Sequence, residues 1–231
     1  IPPSSPSKAT IFPQEPIFCV QWSEGWGPLL RVFIESGVKV ELVEPQRGAA
    51  DQLSRELCML GNVQIHNKAI VQSPGPTLLR CRGASSHTVM ERNAPVGALG
   101  KDAEHASEIV DGVTFDSIDD GTIDLLLCDV EGAEWDVLVK MISRPRIIVI
   151  ETHGHAYLNR KLFRIVLWMH KEGYQLLGHD AADTVWANTK ALDFGVCSSV
   201  SAWAGWLAVI LRSCGQLLRR AVFKGAGCCA K

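Results

Sequence analysis

Residues 123–136 read IDLLLCDVEGAEWD, and the point at which this stretch changes character decides the fold. Five mostly apolar residues, Ile123 to Leu127, run into Cys128, and four carboxylates then follow within eight positions: Asp129, Glu131, Glu134 and Asp136. A core strand selects apolar side chains, and Asp is among the poorest strand formers. The switch therefore marks the tip of a buried strand, where open α/β sheets place their ligands. Asp129 is expected to project into the crevice at the carboxyl edge of the sheet. Glu131 and Gly132 form the turn, and Glu134 and Asp136 fall in the first turn of the next helix. Negative charge suits the helix dipole there, so those two carry a structural role.

Outward from this stretch, apolar runs alternate with helical patterns. PIFCVQW reads as a first strand and GPLLRVFIESG as a helix, with Pro28 tolerated in its first turn and Gly37 as its stop. VKVELVEP is a second strand. AADQLSRELCMLGN is a helix with Leu53, Leu57 and Leu60 on one face, and VQIHNKAIV is a third strand. TIDLLLCDV is the type of strand that is buried on both faces of a parallel sheet. Helix EWDVLVKMI, strand RIIVIET, helix KLFRIVLWMHKEG and strands YQLLGHD and TVWAN complete the body. The alternation predicts a doubly wound α/β fold: a mostly parallel sheet, helices on both faces, and an antiparallel C-terminal hairpin at its edge. Residues 73–113 break the rhythm, being rich in Gly, Ser and Pro, and read as two short strands around a binding loop.

Composition narrows the class. Of 231 residues, 47% are hydrophobic and 21% charged, the balance of a globular protein with a sizeable core. A net charge of −2 gives no reason to expect nucleic acid as a partner. The eight cysteines are scattered, three of them inside apolar runs (Cys19, Cys58 and Cys128), and no CxxC pair suggests zinc. Reduced thiols and a cytoplasmic setting are expected. Residues 1–15 carry no signal-peptide core and read as a disordered leader or fragment edge.

Several strand ends carry chemistry. WSEGWG, Trp22 to Gly27, follows the first strand and opens the first helix, where glycines and free N–H groups let a ligand approach the backbone. Glu44 ends the second strand ~20 residues beyond that turn, where nucleotide-binding α/β folds hold ribose hydroxyls. The bland alternative is a solvated strand-end carboxylate. The strand IIVIETHGH ends in Glu151, with His153 and His155 after it. Two neighbouring strands thus end in carboxylates beside imidazoles, a corner suited to a general base. Asp129, Glu151 and His153 are also metal-ligand types, but their spacing is no metal motif and no metal is expected.

TFDSIDDGTIDLLLCDVEGAEWDVLVKM and PRIIVIETH together resemble the FkbM-like family of S-adenosylmethionine-dependent methyltransferases. In that family a Thr-x-Asp segment precedes an IDLLKIDVEGAE strand and turn, and a later strand ends in Glu. VELVEPQRGAADQLSREL and NVQIHNKAIVQSPG extend the likeness, which covers roughly Pro16 to Asn188. The resemblance implies a Rossmann-like sheet, S-adenosylmethionine as cofactor, and methyl transfer to an oxygen, commonly a sugar hydroxyl. Carried over by position, Gln21, Ser23, Glu24, Gly25, Gly27 and Glu44 hold the cofactor, and Asp129 sits near its methionine end and the acceptor. Glu131, Glu151 and His153 line the acceptor side, together with Ser85 and Ser86 of GASSHT. Asp129 or His153 takes the acceptor proton. The family's first motif is typically DVGANxG, whereas this chain has QWSEGWG, with Gln21 in place of Asp and Ser23 in place of Gly.

On this reading residues 16–190 are the methyltransferase domain, and residues 191–231 form an apolar and basic C-terminal helix. The apolar run from Ala202 to Leu211 is too short to span a bilayer, which takes ~20 residues. Trp203 and Trp206, followed by Arg212, Arg219, Arg220 and Lys224, suit a helix lying in a membrane interface. The same segment also suits a helix docked on the domain. The leading expectation is an O-methyltransferase acting on a small-molecule or glycan hydroxyl. The altered first motif motivates an alternative, a methyltransferase-like module that binds without turnover. A nicotinamide dehydrogenase is the remaining class, but after Gly25 and Gly27 the third glycine of G-x-G-x-x-G is Leu30.

Overall fold

Four-residue apolar runs build the centre of the molecule. In the computed structural model, β1 (Ile17–Val20) lies between β2 (Val40–Val43) and β8 (Leu125–Cys128), parallel to both. The structure describes residues 17–20, 27–57, 59–80, 87–88, 107–152, 159–180, 182–191 and 207. β3 (Val63–His66) extends the sheet beyond β2, and β9 (Ile147–Glu151) extends it beyond β8, both in parallel. β11 (Asp183–Asn188) then pairs antiparallel with β9, and β10 (Tyr174–His179) pairs antiparallel with β11. The order across the sheet is β10-β11-β9-β8-β1-β2-β3. The expected C-terminal hairpin is present, with its later strand inserted inside and the earlier one forming the edge.

Side-chain parity explains the two layers. Ile17, Val40, Leu42 and Leu127 point to one face and meet Leu30 and Ile34 of α1 (Gly27–Glu35) and Leu53 and Leu57 of α2 (Arg47–Leu57). Phe18, Leu126, Cys128, Ile148 and Ile150 point to the other face. They meet Val137 and Leu138 of α3 (Glu134–Lys140) and Ile165 and Met169 of α4 (Leu162–Lys171). Each large aliphatic side chain so buried contributes about 1.5–3 kcal/mol. With both faces covered, the strands have little use for polar residues until they end.

One predicted element divides. VQIHNKAIV was expected as one strand, but β3 stops at His66 and β4 (Ala69–Ile70) joins a second sheet. Asn67 causes the break, its Nδ2 donating to the carbonyls of Glu44 (2.9 Å) and Pro45 (3.0 Å) instead of continuing the ladder. The second sheet has the order β4-β7-β5-β6, from β5 (Gly75–Arg80), β6 (His87–Thr88) and β7 (Ser107–Val113). Residues 73–113 therefore do carry paired strands, β5 and β7 matching over six residues. Leu60, expected on the buried face of α2, lies beyond the helix and is exposed.

Candidate active site

The chain runs β1, β2, β3 to one side and returns through β8 and β9 on the other, so the topology reverses between β1 and β8. Parallel strands on either side of such a switch point part at their carboxyl ends and leave a crevice. Asp129 follows β8 directly and Glu151 ends β9. Cys128 and Ile150 are partners in the β8–β9 register, so one residue further sets Asp129 beside Glu151. Asp183, the first residue of β11, is the register partner of Glu151 on its other side. Three carboxylates thus stand in a row across adjacent strand ends. Like charges placed directly opposite one another destabilise a sheet, so pairing alone gives no reason for this row.

Glu131 closes on the same point. One carboxylate oxygen from each of Asp129, Glu131 and Glu151 can be drawn so that all lie within 4.8 Å of one another. That spacing is open to a bound cation as well as to a proton. Glu131 reaches it at φ 49°, the one non-glycine residue with positive φ among those described, followed by Gly132 at φ 105°. A left-handed backbone costs an L-residue about 1–2 kcal/mol, and such strain gathers where function needs a side chain aimed.

Burial pushes the Asp129 carboxyl up, and a hydrogen bond with Glu151 opposes the rise. Two carboxyls can hydrogen-bond only with a proton between them. Asp129 Oδ1 is buried and receives no bond from an N–H or O–H donor among the described residues. Asp183 is pushed up to about 6 by burial, with Asp180 and Asp129 adding repulsion. The crevice therefore favours a positively charged occupant.

The turn beneath is held from inside. Glu134 Oε1 accepts from the backbone N–H of Gly132 (2.9 Å) and of Val130 (3.3 Å). Asn159 Nδ2 donates to its Oε2. Burial raises Glu134 to about 7, while the Gly132 N–H pulls it down. Asp136 is equally buried and accepts from Gln72 Nε2 at 2.7 Å. Both lie in the first turn of α3, as expected, and both are buried there, Glu134 on the backbone N–H groups of the turn and Asp136 on the Gln72 side chain.

Glu44 lies at the end of β2 and is buried, not solvated. Its Oε1 accepts from the Gln46 N–H at 2.8 Å, fixing the carboxylate at the carboxyl edge. Gly27 opens α1. Gln21, Ser23, Glu24, Gly25, Ser85, Ser86, His153 and His155 lie outside the described residues. Asp129, Glu131 and Glu151 are brought together; Glu44 stands two strands away from β8, across β1. Asp183 was missed, although the acidic hairpin GHDAADT was visible, because its place depends on antiparallel register. Glu41 was missed as well: it is buried within β2, bonded to His66 Nε2 (2.9 Å) and Lys39 (2.7 Å), with His66 foremost in holding its carboxyl low.

A seven-stranded sheet of this order, with an acidic crevice at its switch point, defines a doubly wound α/β protein built to hold a cofactor at its carboxyl edge. Residues 21–176 match the Methyltransferase FkbM domain, and the chain belongs to that family of S-adenosylmethionine-dependent methyltransferases. No curated protein matches the chain significantly in sequence. Among solved structures it is similar to the methyltransferase domain of bacterial CtHen1-C, at 10% identity and a TM-score of 0.42 over 75% of this chain and 89% of that one. It is also similar to a SAM-dependent methyltransferase from Aquifex aeolicus, at 12% identity and a TM-score of 0.39, covering 75% and 81%. A third is the 1,6-didemethyltoxoflavin-N1-methyltransferase of Burkholderia thailandensis, whose structure holds 1,6-didemethyltoxoflavin and S-adenosylhomocysteine. It is 13% identical, with a TM-score of 0.34 over 75% and 72%.

Proposed function

We propose that the protein transfers a methyl group from S-adenosylmethionine to a hydroxyl oxygen of a sugar or another small metabolite. The observation that carries this reading is the row of Asp129, Glu151 and Asp183 beside the switch point of an FkbM-family sheet. S-adenosylmethionine bears a sulfonium and an ammonium, and a half-buried acidic crevice complements both. The orphaned Asp129 Oδ1 fits a cationic group in the same way. Gln21, Ser23, Glu24, Gly25 and Gly27 are the proposed contacts along the β1–α1 turn, and Glu44 the acceptor for ribose hydroxyls. When bound, the sulfonium makes its methyl group electrophilic. Placing the acceptor in line then supplies much of the acceleration.

Glu131, Glu151 and His153, with Ser85 and Ser86, are the proposed acceptor contacts, and Asp129 or His153 removes the hydroxyl proton. A carboxyl raised by burial is a stronger base once ionised, which favours Asp129. The second reading, a module that binds without turnover, has its support in Gln21 and Ser23, which replace the Asp and Gly of the family's first motif. Residues 191–231 are proposed to form an apolar and basic C-terminal helix, lying in a membrane interface or docked on the domain. No helix among the described residues is long and apolar enough to cross a membrane.

Calorimetric titration with S-adenosylmethionine, and separately with NAD, tests the reading. Glu44→Gln keeps the oxygen that Gln46 uses but removes the charge, and is expected to weaken S-adenosylmethionine binding about 10-fold or more, as for a lost bond to a charged group. Binding of NAD instead, or affinity unchanged in Glu44→Gln, would refute the assigned cofactor site. Binding without methyl transfer across a panel of hydroxyl acceptors would favour the second reading.

A further inference from the structure

Leu162, Ile165 and Met169 turn one side of α4 into the core. The other side carries Phe163, Arg164, Leu167, His170 and Lys171, all exposed, with exposed Arg160 just before the helix. Phe163 is 75% and Leu167 53% exposed, and they stand one turn apart on the same stripe. From Arg160 to Lys171 the sequence has no carboxylate, and its four fixed cations are Arg160, Lys161, Arg164 and Lys171. None of the four enters an ion pair among the described residues. α3 packs beside α4 and exposes Val139, and Ile142, two residues past its end, is exposed as well. A solvated helix face mixes both charge signs and holds few large apolar groups, whereas this one does the reverse.

The chain leaves the described fold at the same place. Thr189 binds the carbonyl of Gly173 through its N–H (3.0 Å) and its Oγ1 (2.8 Å), two residues past the end of α4. Beyond Ala191 the sequence continues into SAWAGWLAVIL and then Arg212, Arg219, Arg220 and Lys224. We propose that the exposed face of α4 docks the domain on an anionic lipid surface. The guanidinium and ammonium groups pair with lipid phosphates, while Phe163 and Leu167 enter the acyl boundary. A nucleic acid would satisfy the cations but leave both apolar side chains in water. The N-terminal end of α4 adjoins Asn159, which bonds Glu134 at the start of α3, just past the turn that follows Asp129, so docking brings the candidate site toward the bilayer surface.

Flotation of the full chain tests this, with vesicles of phosphatidylcholine alone and of phosphatidylcholine with phosphatidylserine, at low and high ionic strength. The expected result is flotation with the anionic vesicles only, reversed by salt. Replacing Arg160 and Arg164 together by Gln should lower the partition coefficient about 25-fold, about fivefold for each charge. Phe163→Glu combined with Leu167→Glu should abolish flotation. All four side chains are exposed, and an unchanged circular dichroism spectrum confirms folding. No flotation of the full chain, or wild-type partition of both variants, would overturn the proposal. Stronger flotation of the Phe163 and Leu167 variant would also overturn it, since the face would then be covered by the protein's own C-terminal segment or by another protein. None of these readouts involves S-adenosylmethionine.

Discussion

Asp129 is held where a carboxylate is costly, half-buried with its Oδ1 out of reach of water, and close to Glu131 and Glu151. Asp129→Asn keeps its shape and supplies an N–H donor to Glu151 in place of a shared proton. The expected outcome is a stability equal to or above wild type, because one of several crowded charges is gone, together with methyl transfer lowered about 10²–10⁴-fold. Chemical denaturation and a turnover assay read the two effects, and near-normal turnover would remove Asp129 from the mechanism. Much of this corner was legible because an apolar run that ends in an acid has few structural explanations, which singled out Asp129, Glu131 and Glu151. Asp183 was not, since only the fold places it beside Glu151. Nor was Glu41, because a buried acid inside a strand gives no signal until His66 is seen on the neighbouring strand, diagonal to it.

At the scale of elements, the second sheet hinges on Gly112. It pairs with Gly75 on β5 and Ala69 on β4, and a Cβ there would lie 2.6 Å from Thr77 Oγ1 and 2.7 Å from the Gly75 carbonyl. Gly112→Ala must push backbone apart, so a loss of about 1–3 kcal/mol, as for overpacking, is expected. An unchanged urea midpoint would show that the sheet yields without cost. Asp119 is a second such point, buried and accepting from the N–H of Ile142 (2.6 Å), Ser143 (2.8 Å) and Gly121 (2.9 Å). Asp119→Ala strands the buried Ser143 N–H, whereas Gly121 and Ile142 are exposed and their N–H groups can turn to water, so a loss of about 1–3 kcal/mol, read from the urea midpoint, is expected. The main sheet was legible because each strand is an apolar run closed by turn residues. The small sheet was only half legible, because its strand β4 reads as a continuation of β3. What separates them is a side-chain bond from Asn67 to the carbonyls of a distant turn, which no local pattern announces.

For the whole molecule, the balance of buried acids sets how stability responds to pH. Glu134, raised from 4.5 to about 7, and Asp183, raised from 3.8 to about 6, bind more protons when folded than when unfolded. Their contribution is complete below the unfolded values and is lost as pH rises through the folded ones. Glu41, held low by His66 and Lys39, works the other way, and its support fades as pH falls below 4.5 toward its lower folded value. Stability is therefore expected to decline between about pH 5 and about pH 8, with Glu134 accounting for roughly 3 kcal/mol at most. Asp183 adds less because it is partly solvated. Urea midpoints across that window test this, and Glu134→Gln should flatten the slope; a midpoint that rises with pH would refute it. A cationic ligand in the crevice favours the ionised acids, so stabilisation by S-adenosylmethionine should grow over the same window. If instead its effect on the midpoint is independent of pH, the cofactor's charged centres do not face Asp129, Glu151 and Asp183.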